Sequence, residues 1–403
     1  MSSSGFSHSR LGRMHAVLGS YVERGEVPGL VALVSRRGEV HAHAIGAKAL
    51  GGEPMRRDTL FRIASMSKPM AAAAAMILVE ECVLRLDDPV DRFLPELANR
   101  RVLARLDGPI DETVPAKRPI TLRDLLTLRM GFGFIMGSGG TYPIHQAAVD
   151  LGIRMGPPTQ SEPPPDEWMR RVGTLPLMRQ PGEAWMYDLA LDVLGVLLAR
   201  AAGQPLETFL HQRLFAPLGM KDTAFGVPKE KLDRLATAYS PHPDTGALEI
   251  TDGVEGSLWE RPPVFPSAAG GLVSTIDDCL AFGQMLLDFG RQGGRHGRER
   301  LLSRSAVELM TTDHLTPEQK AGNELFLGEG GGWGFGLSVV HRRNDLWEVP
   351  GRYGWNGGLG TCWANDPQEN LVGILLTQRG MTSPMPPAVF RDFWTLAYQA
   401  IDD

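Results

Sequence analysis

Cysteine is nearly missing: Cys82, Cys279 and Cys362 are the only three in 403 residues. An odd count with no C-x-x-C pair argues against a disulfide framework and a structural zinc site, and neither metal nor cofactor is expected. Long apolar runs are missing too. Met70–Val79 is too short for a membrane span, which takes about 20 residues, and it runs into Glu80-Glu81. Met1–Gly5 is a short polar tail without an apolar h-region, so a cytoplasmic protein is expected. Positive charge is not in excess, since 41 basic against 47 acidic residues give a formal net charge of −6. No basic patch with interleaved aromatics occurs, which argues against nucleic acid, and the arginines from Arg291 to Arg304 read as a solvated surface segment. No G-x-S-x-G elbow is present, and none of the ten histidines stands in a triad context.

What remains is an ordinary globular composition, 43% hydrophobic and 22% charged. The length suggests two or three domains or lobes. Apolar spacing from Ser7 to Arg24 predicts an amphipathic helix, and Leu30–Ser35 with Val40–Ile45 predicts a β-hairpin across Arg36-Arg37-Gly38. Phe61–Ile63 reads as a third strand and Met70–Val79 as a buried helix whose alanines admit close neighbours. Helical periodicity recurs at Leu122–Leu128, Asp166–Val172, Leu189–Ala201 and Leu206–Leu214. Gly131–Pro165 is rich in glycine and proline, with Phe134, Met136 and Tyr142 interspersed. It is expected to be an irregular lid or wall of a substrate cleft, or else a plain surface excursion. After Ala268 the pattern turns to strands (Gly334–Val340, Trp347–Val349, Gly360–Asn365, Leu371–Gln378), with helices at Ile276–Leu287 and Asp392–Ala400. The implied organisation is an α/β region with an antiparallel sheet from residues 1–64 and 265–403. A mainly helical region, 65–264, is inserted between its halves.

Chemistry concentrates at Phe61-Arg62-Ile63-Ala64-Ser65-Met66-Ser67-Lys68. On a helix Ser65 and Lys68 share a face one turn apart, and the serine sits at the positive helix end, where charge developing on oxygen is stabilised. This is the S-x-x-K motif of active-site-serine penicillin-recognising enzymes. A serine hydroxyl is a weak nucleophile and needs a base. Without a candidate histidine, lysine or tyrosine remains. Shielded by an apolar helix and other cations, Lys68 would have a depressed pKa and could serve. Tyr187, after the turn Pro181-Gly182 and before a helix, is the other candidate.

In these motifs the chain resembles the serine β-lactamase-like superfamily, most closely the family VIII carboxylesterases, which are similar to class C β-lactamases; related acyltransferases and D-amino-acid peptidases share the pattern. The resemblance runs through Arg62–Lys68, Leu86–Val90, Ile120–Gly131, Pro181–Tyr187, Pro217–Met220, Ala269–Thr275 and Tyr353–Thr361. It implies Ser65 as nucleophile, Lys68 as base or proton relay, Tyr187 as the other acid/base, and an oxyanion hole from the backbone N–H of Ser65 and of a residue near Gly358 on an edge strand. Two departures matter. Leu189 replaces the asparagine of Y-x-N, and Trp355-Asn356-Gly357 stands where penicillin-recognising relatives have K-T-G. Both remove recognition of anionic, amide-bearing substrates. The expected activity is hydrolysis of small uncharged esters, with acyl transfer as the alternative and weak β-lactamase or D-peptidase activity as residues of ancestry. A non-catalytic sensor is disfavoured by the intact Ser65, Lys68 and Tyr187.

Overall fold

The computed structural model describes residues 5–135, 142–156, 161–292 and 299–403. Helix α1 (His8–Glu23) buries Leu11, Met14, Leu18 and Tyr21, the three-and-four spacing of an amphipathic helix. Strands β1 (Gly29–Arg36) and β2 (Glu39–Gly46) form the expected hairpin, with Arg36 opposite Glu39. The two turn residues Arg37 and Gly38 both have positive φ, 52° and 85°, as a tight hairpin turn requires. Further strands are β3 (Phe61–Arg62), β4 (Arg101–Leu103), β5 (Thr113–Pro115), β6 (Ala238–Pro241), β7 (Leu248–Asp252) and β8 (Val273–Ser274). The last five are β9 (Gly331–Trp333), β10 (Ser338–Val340), β11 (Tyr353–Gly357), β12 (Thr361–Asp366) and β13 (Leu371–Thr377).

The main sheet is antiparallel throughout, in the order β2-β1-β13-β12-β11-β10-β9. Alternation along the strands divides their side chains between two cores. Leu30, Ala32, Val34, Ala364 and Leu375 pack with α1 and the Ala388–Gln399 helix. Val31, Leu33, Trp363, Ile374 and Leu376 face the larger core with the Ser67–Glu80 and Leu189–Ala202 helices. Both of those helices are apolar nearly all round, which fits their interior place. Burial of each such large aliphatic side chain contributes about 1.5–3 kcal/mol.

Three expectations need correction. Trp347–Val349 is a turn, not a strand. The edge of the sheet is instead built by β9 and β10, broken at Gly334–Leu337 within the stretch read as one strand. The Gly131–Pro165 stretch is not irregular throughout, because Pro143–Asp150 is an α-helix that begins just after Tyr142, with Pro143 in its first turn. The three cysteines are free. Among the described residues no single helix is long and apolar enough to cross a membrane, although the bent pair Leu189–Ala202 and Leu206–Leu218 together reach that length and composition. Its first member is a core helix, buried from Leu189 to Leu198.

Candidate active site

Ser65 is delivered by a short, tightly held approach. β3 pairs with β8, and Ile63 N–H continues the ladder to Leu272 O at 3.0 Å. The chain then turns through Ala64, whose φ of 45° is unusual for a residue with a Cβ. A 3₁₀ turn, Ala64–Met66, carries Ser65 directly into the Ser67–Glu80 helix. β11 runs against this approach: a Cβ on Gly357 would lie 2.2 Å from Ile63 O, so only glycine fits there. Ser67 has a structural part. Its buried hydroxyl donates to Ala64 O at 2.7 Å and accepts from Leu272 N–H at 3.2 Å.

Lys68 is fully buried one turn on. Its ammonium donates to Ser65 Oγ at 3.0 Å, Asp188 Oδ1 at 2.6 Å and Ala269 O at 2.7 Å. Those acceptors use all three of its N–H bonds. Burial opposes the charge, but the Asp188 carboxylate and then Tyr187 outweigh it and hold Lys68 above the ordinary lysine value. The expected depressed pKa is therefore corrected: the neighbours of Lys68 are carboxylates, not cations. Asp192 sits behind, accepting from Ser267 Oγ at 2.8 Å and Ala269 N–H at 3.0 Å. Burial and the like charge of Asp188 push its carboxyl up to about 7.

Tyr187 approaches from the other side. Its ring face stands 4.6 Å from Lys68 Nζ, and its Oη accepts the Trp355 indole N–H at 2.7 Å. Trp185, Phe326, Trp333 and Trp355 surround it at ring-centroid distances of 4.5–6.4 Å. Backbone bonds in both directions tie Tyr187 to Phe134, at 2.9 and 3.1 Å. Asp188 escaped the sequence reading. Its φ of 89° and ψ of −76° turn the chain into the next helix, and its side chain caps nothing there. Instead Oδ1 binds Lys68 and Oδ2 accepts Gly156 N–H at 2.6 Å. Backbone strain of this kind costs about 1–3 kcal/mol, offset here by a buried ion pair.

These groups border a cavity of about 420 Å³ lined by Ser65, Tyr187, Asp188, Trp355, Asn356 and Gly358, with Phe134 and Phe326 as apolar walls. The Met381–Pro384 loop and Pro386 close another side, and neither it nor Phe326 was singled out in the sequence. Other expected contacts lie elsewhere. Leu189 is buried in the core, Gly357 packs on Ile63, and Tyr142 stands just before its helix, its ring against His145. Met136 falls outside the described residues. β11 is an edge only in its second half: Tyr353 and Gly354 pair with β10, whereas Trp355–Gly357 pair with β12 alone. Among the described residues no group of three metal-ligating side chains gathers here or elsewhere.

Asp188→Asn is expected to leave burial of Lys68 largely unopposed, so its pKa falls and the ammonium is lost at lower pH. The alkaline limb of the kcat/KM profile should move at least one pH unit acidward, with a smaller change at pH 6. An unmoved limb would detach Asp188 from the charge state of Lys68.

A family model described as Beta-lactamase matches residues 14–390. Esterase EstB of Burkholderia gladioli is 32% identical over 405 residues, covering 94% of this chain and 93% of its own. An uncharacterised protein of Mycobacterium tuberculosis is 40% identical over 367 residues, covering 88% of this chain and 87% of its own. Among solved structures, EstCE1, described as a hydrolase with promiscuous acyltransferase activity, superposes with a TM-score of 0.77 at 28% identity, over 97% of this chain and 99% of its own.

Proposed function

Because the chain belongs to the Beta-lactamase family, we propose that it is a serine carboxylesterase acting on uncharged, short-acyl esters through an acyl-enzyme on Ser65. The observation that carries this reading is the lining of the catalytic cavity. Among the described residues it contains no lysine, arginine or histidine, and Trp355 stands where a cation would meet a substrate carboxylate.

The three bonds of Lys68 support one division of the chemistry. As an ammonium it cannot take the serine proton, so that part falls to Tyr187. The step requires Tyr187 as the phenolate: its Oη takes the Ser65 proton as Oγ bonds to the ester carbonyl carbon. The carbonyl π pair moves onto oxygen, where the N–H groups of Ser65 and Gly358 receive it; each such donor supplies about 2.7–4 kcal/mol. Collapse breaks the bond to the alcohol, which leaves with the proton held on Tyr187. Water then repeats the sequence on the acyl-enzyme and frees the acid. Lys68 orients Oγ through its 3.0 Å bond, and the Trp355 N–H fixes the position of Tyr187 Oη. An alcohol in place of water gives acyl transfer, a second reading supported by the likeness to EstCE1.

A panel of chromogenic esters and β-lactams, followed by intact-mass detection of the acyl-enzyme, tests the reading. Short-acyl aryl esters should turn over well and benzylpenicillin slowly or not at all. Faster hydrolysis of penicillins than of simple esters would overturn it. Trp355→Lys should raise the ratio of β-lactam to ester kcat/KM, chiefly by losing esterase activity, because the phenol loses its indole partner. The gain in lactam turnover should stay small with leucine at position 189. An unchanged ratio removes Trp355 from substrate selection.

A further inference from the structure

Arg352 immediately precedes β11 and is only 8% exposed. Its guanidinium lies 4.0 Å from the Trp394 ring centroid and 5.0 Å from that of Trp347. Among the described residues no carboxylate forms a salt bridge with it, and its buried Nε has no hydrogen-bond partner. The acid behind it is already engaged, since Asp366 accepts from Tyr398 Oη and from Gln368 N–H, both at 2.8 Å. Cation–π contacts with the two indoles recover only part of what burying an ion costs. A guanidinium with no ion-pair contact among the described residues is thus held in place, with Asp366 and Glu348 acting on it only at a distance. Burial also pushes its pKa below the ordinary arginine value.

Arg352 borders a second cavity of about 280 Å³, walled by Trp347, Trp394 and Phe390. This cavity shares Phe326, Trp355, Asn356 and Pro386 with the catalytic one. Three acids border it. Glu324 and Asp345 are exposed, where water screens them, and accept the N–H groups of Gly322 and Leu346 at 3.0 and 2.6 Å. Glu348 is half-buried and makes no salt bridge with Arg352. A planar guanidinium presents paired donors matched to a carboxylate, and flanking indoles suit an apolar body.

We propose that Arg352 forms a carboxylate subsite beside the catalytic cavity, taking the acid group of an organic anion whose apolar body lies against Trp347, Trp394 and Phe390. The acid group belongs either to the far end of an ester's acyl arm or to a separate organic acid. The first source rests on the esterase reading and would widen it beyond uncharged, short-acyl esters; binding itself does not.

Hexanoate and hexanamide are titrated against the protein by tryptophan fluorescence. Hexanoate should bind saturably and at least tenfold tighter than hexanamide, and Arg352→Gln should abolish that preference. Arg352→Lys, keeping charge without the fork, should retain part of it, and thermal melts confirm that each variant folds. Equal binding of acid and amide, or an undiminished preference in folded Arg352→Gln, overturns the proposal. Mono-p-nitrophenyl adipate is then compared with p-nitrophenyl hexanoate. A tenfold loss of adipate selectivity in Arg352→Gln identifies the acyl arm as the source. Acid binding with unaltered ester selectivity identifies the separate acid.

Discussion

Ser65→Ala is expected to lower hydrolysis of p-nitrophenyl acetate by about 10⁴-fold or more, the order seen when a nucleophile is removed from an otherwise intact constellation. A fluorophosphonate should label the parent protein at Ser65 and leave the variant unlabelled. The local geometry makes this a sharp expectation. Ser65 Oγ lies at 3.0 Å from an ammonium and borders the cavity, whereas Ser67 is buried with its hydroxyl committed to Ala64 O. Ser383 also borders the cavity but has no such partner among the described residues. Peptide mapping that finds the label on Ser383 or Ser67 would sink the assignment.

Tyr187→Phe and Lys68→Ala should each cut kcat by about 10²–10⁴, the usual range for losing general acid–base help. Their double mutant should fall well short of the product of the two losses. In the proposed mechanism Tyr187 and Lys68 both act on Ser65; they face each other at 4.6 Å, and residues working as a unit are non-additive. The variants should differ in kind as well. Lys68→Ala leaves the Asp188 carboxylate buried without its cation, so it should lower Tm markedly; breaking a buried pair this way costs about 3–5 kcal/mol. Tyr187→Phe removes only an oxygen that accepts one indole N–H, and should cost far less stability. Near-parental activity in Tyr187→Phe would return the base to Lys68 or to water.

What could be read from the sequence were features written in consecutive residues. The S-x-x-K spacing, the Pro-Gly turn before Tyr187 and the Trp355-Asn356-Gly357 stretch are local, and so were found. The β1–β2 hairpin and the Ile276–Leu287 helix likewise follow from short-range alternation and periodicity. Asp188 was passed over although it adjoins Tyr187. Its ion pair reaches 120 residues back to Lys68, and its backbone conformation is one that no propensity favours. The charge state of Lys68 was misjudged for the same reason, because burial could be inferred from Ala71–Ala75 but the counter-ion could not. Phe326 and the Met381–Pro384 loop come from a four-residue helix and an irregular segment, whose placement depends on tertiary packing. Pro143–Asp150 was hidden by the surrounding prolines and glycines, although proline at the first helical position favours a start.

The position of β13 in the sheet has a kinetic consequence. This last strand lies between β1 and β12, near the middle of the sheet. Its partner on one side is therefore the first strand of the chain, with Leu33 opposite Ile374, and on the other side β12, which turns back from β11. Joining β1 to β13 requires drawing together a loop of more than 300 residues, a late and slow kind of event. On a ribosome the Ser67–Glu80 helix would emerge long before the strand against which Ser65 must be set. During that interval the polypeptide already carries the proposed nucleophile but has no completed surface to present a substrate to it. Acquisition of activity should thus wait for emergence of β13, and any protective factor would have to shield the β1–β2 hairpin until then.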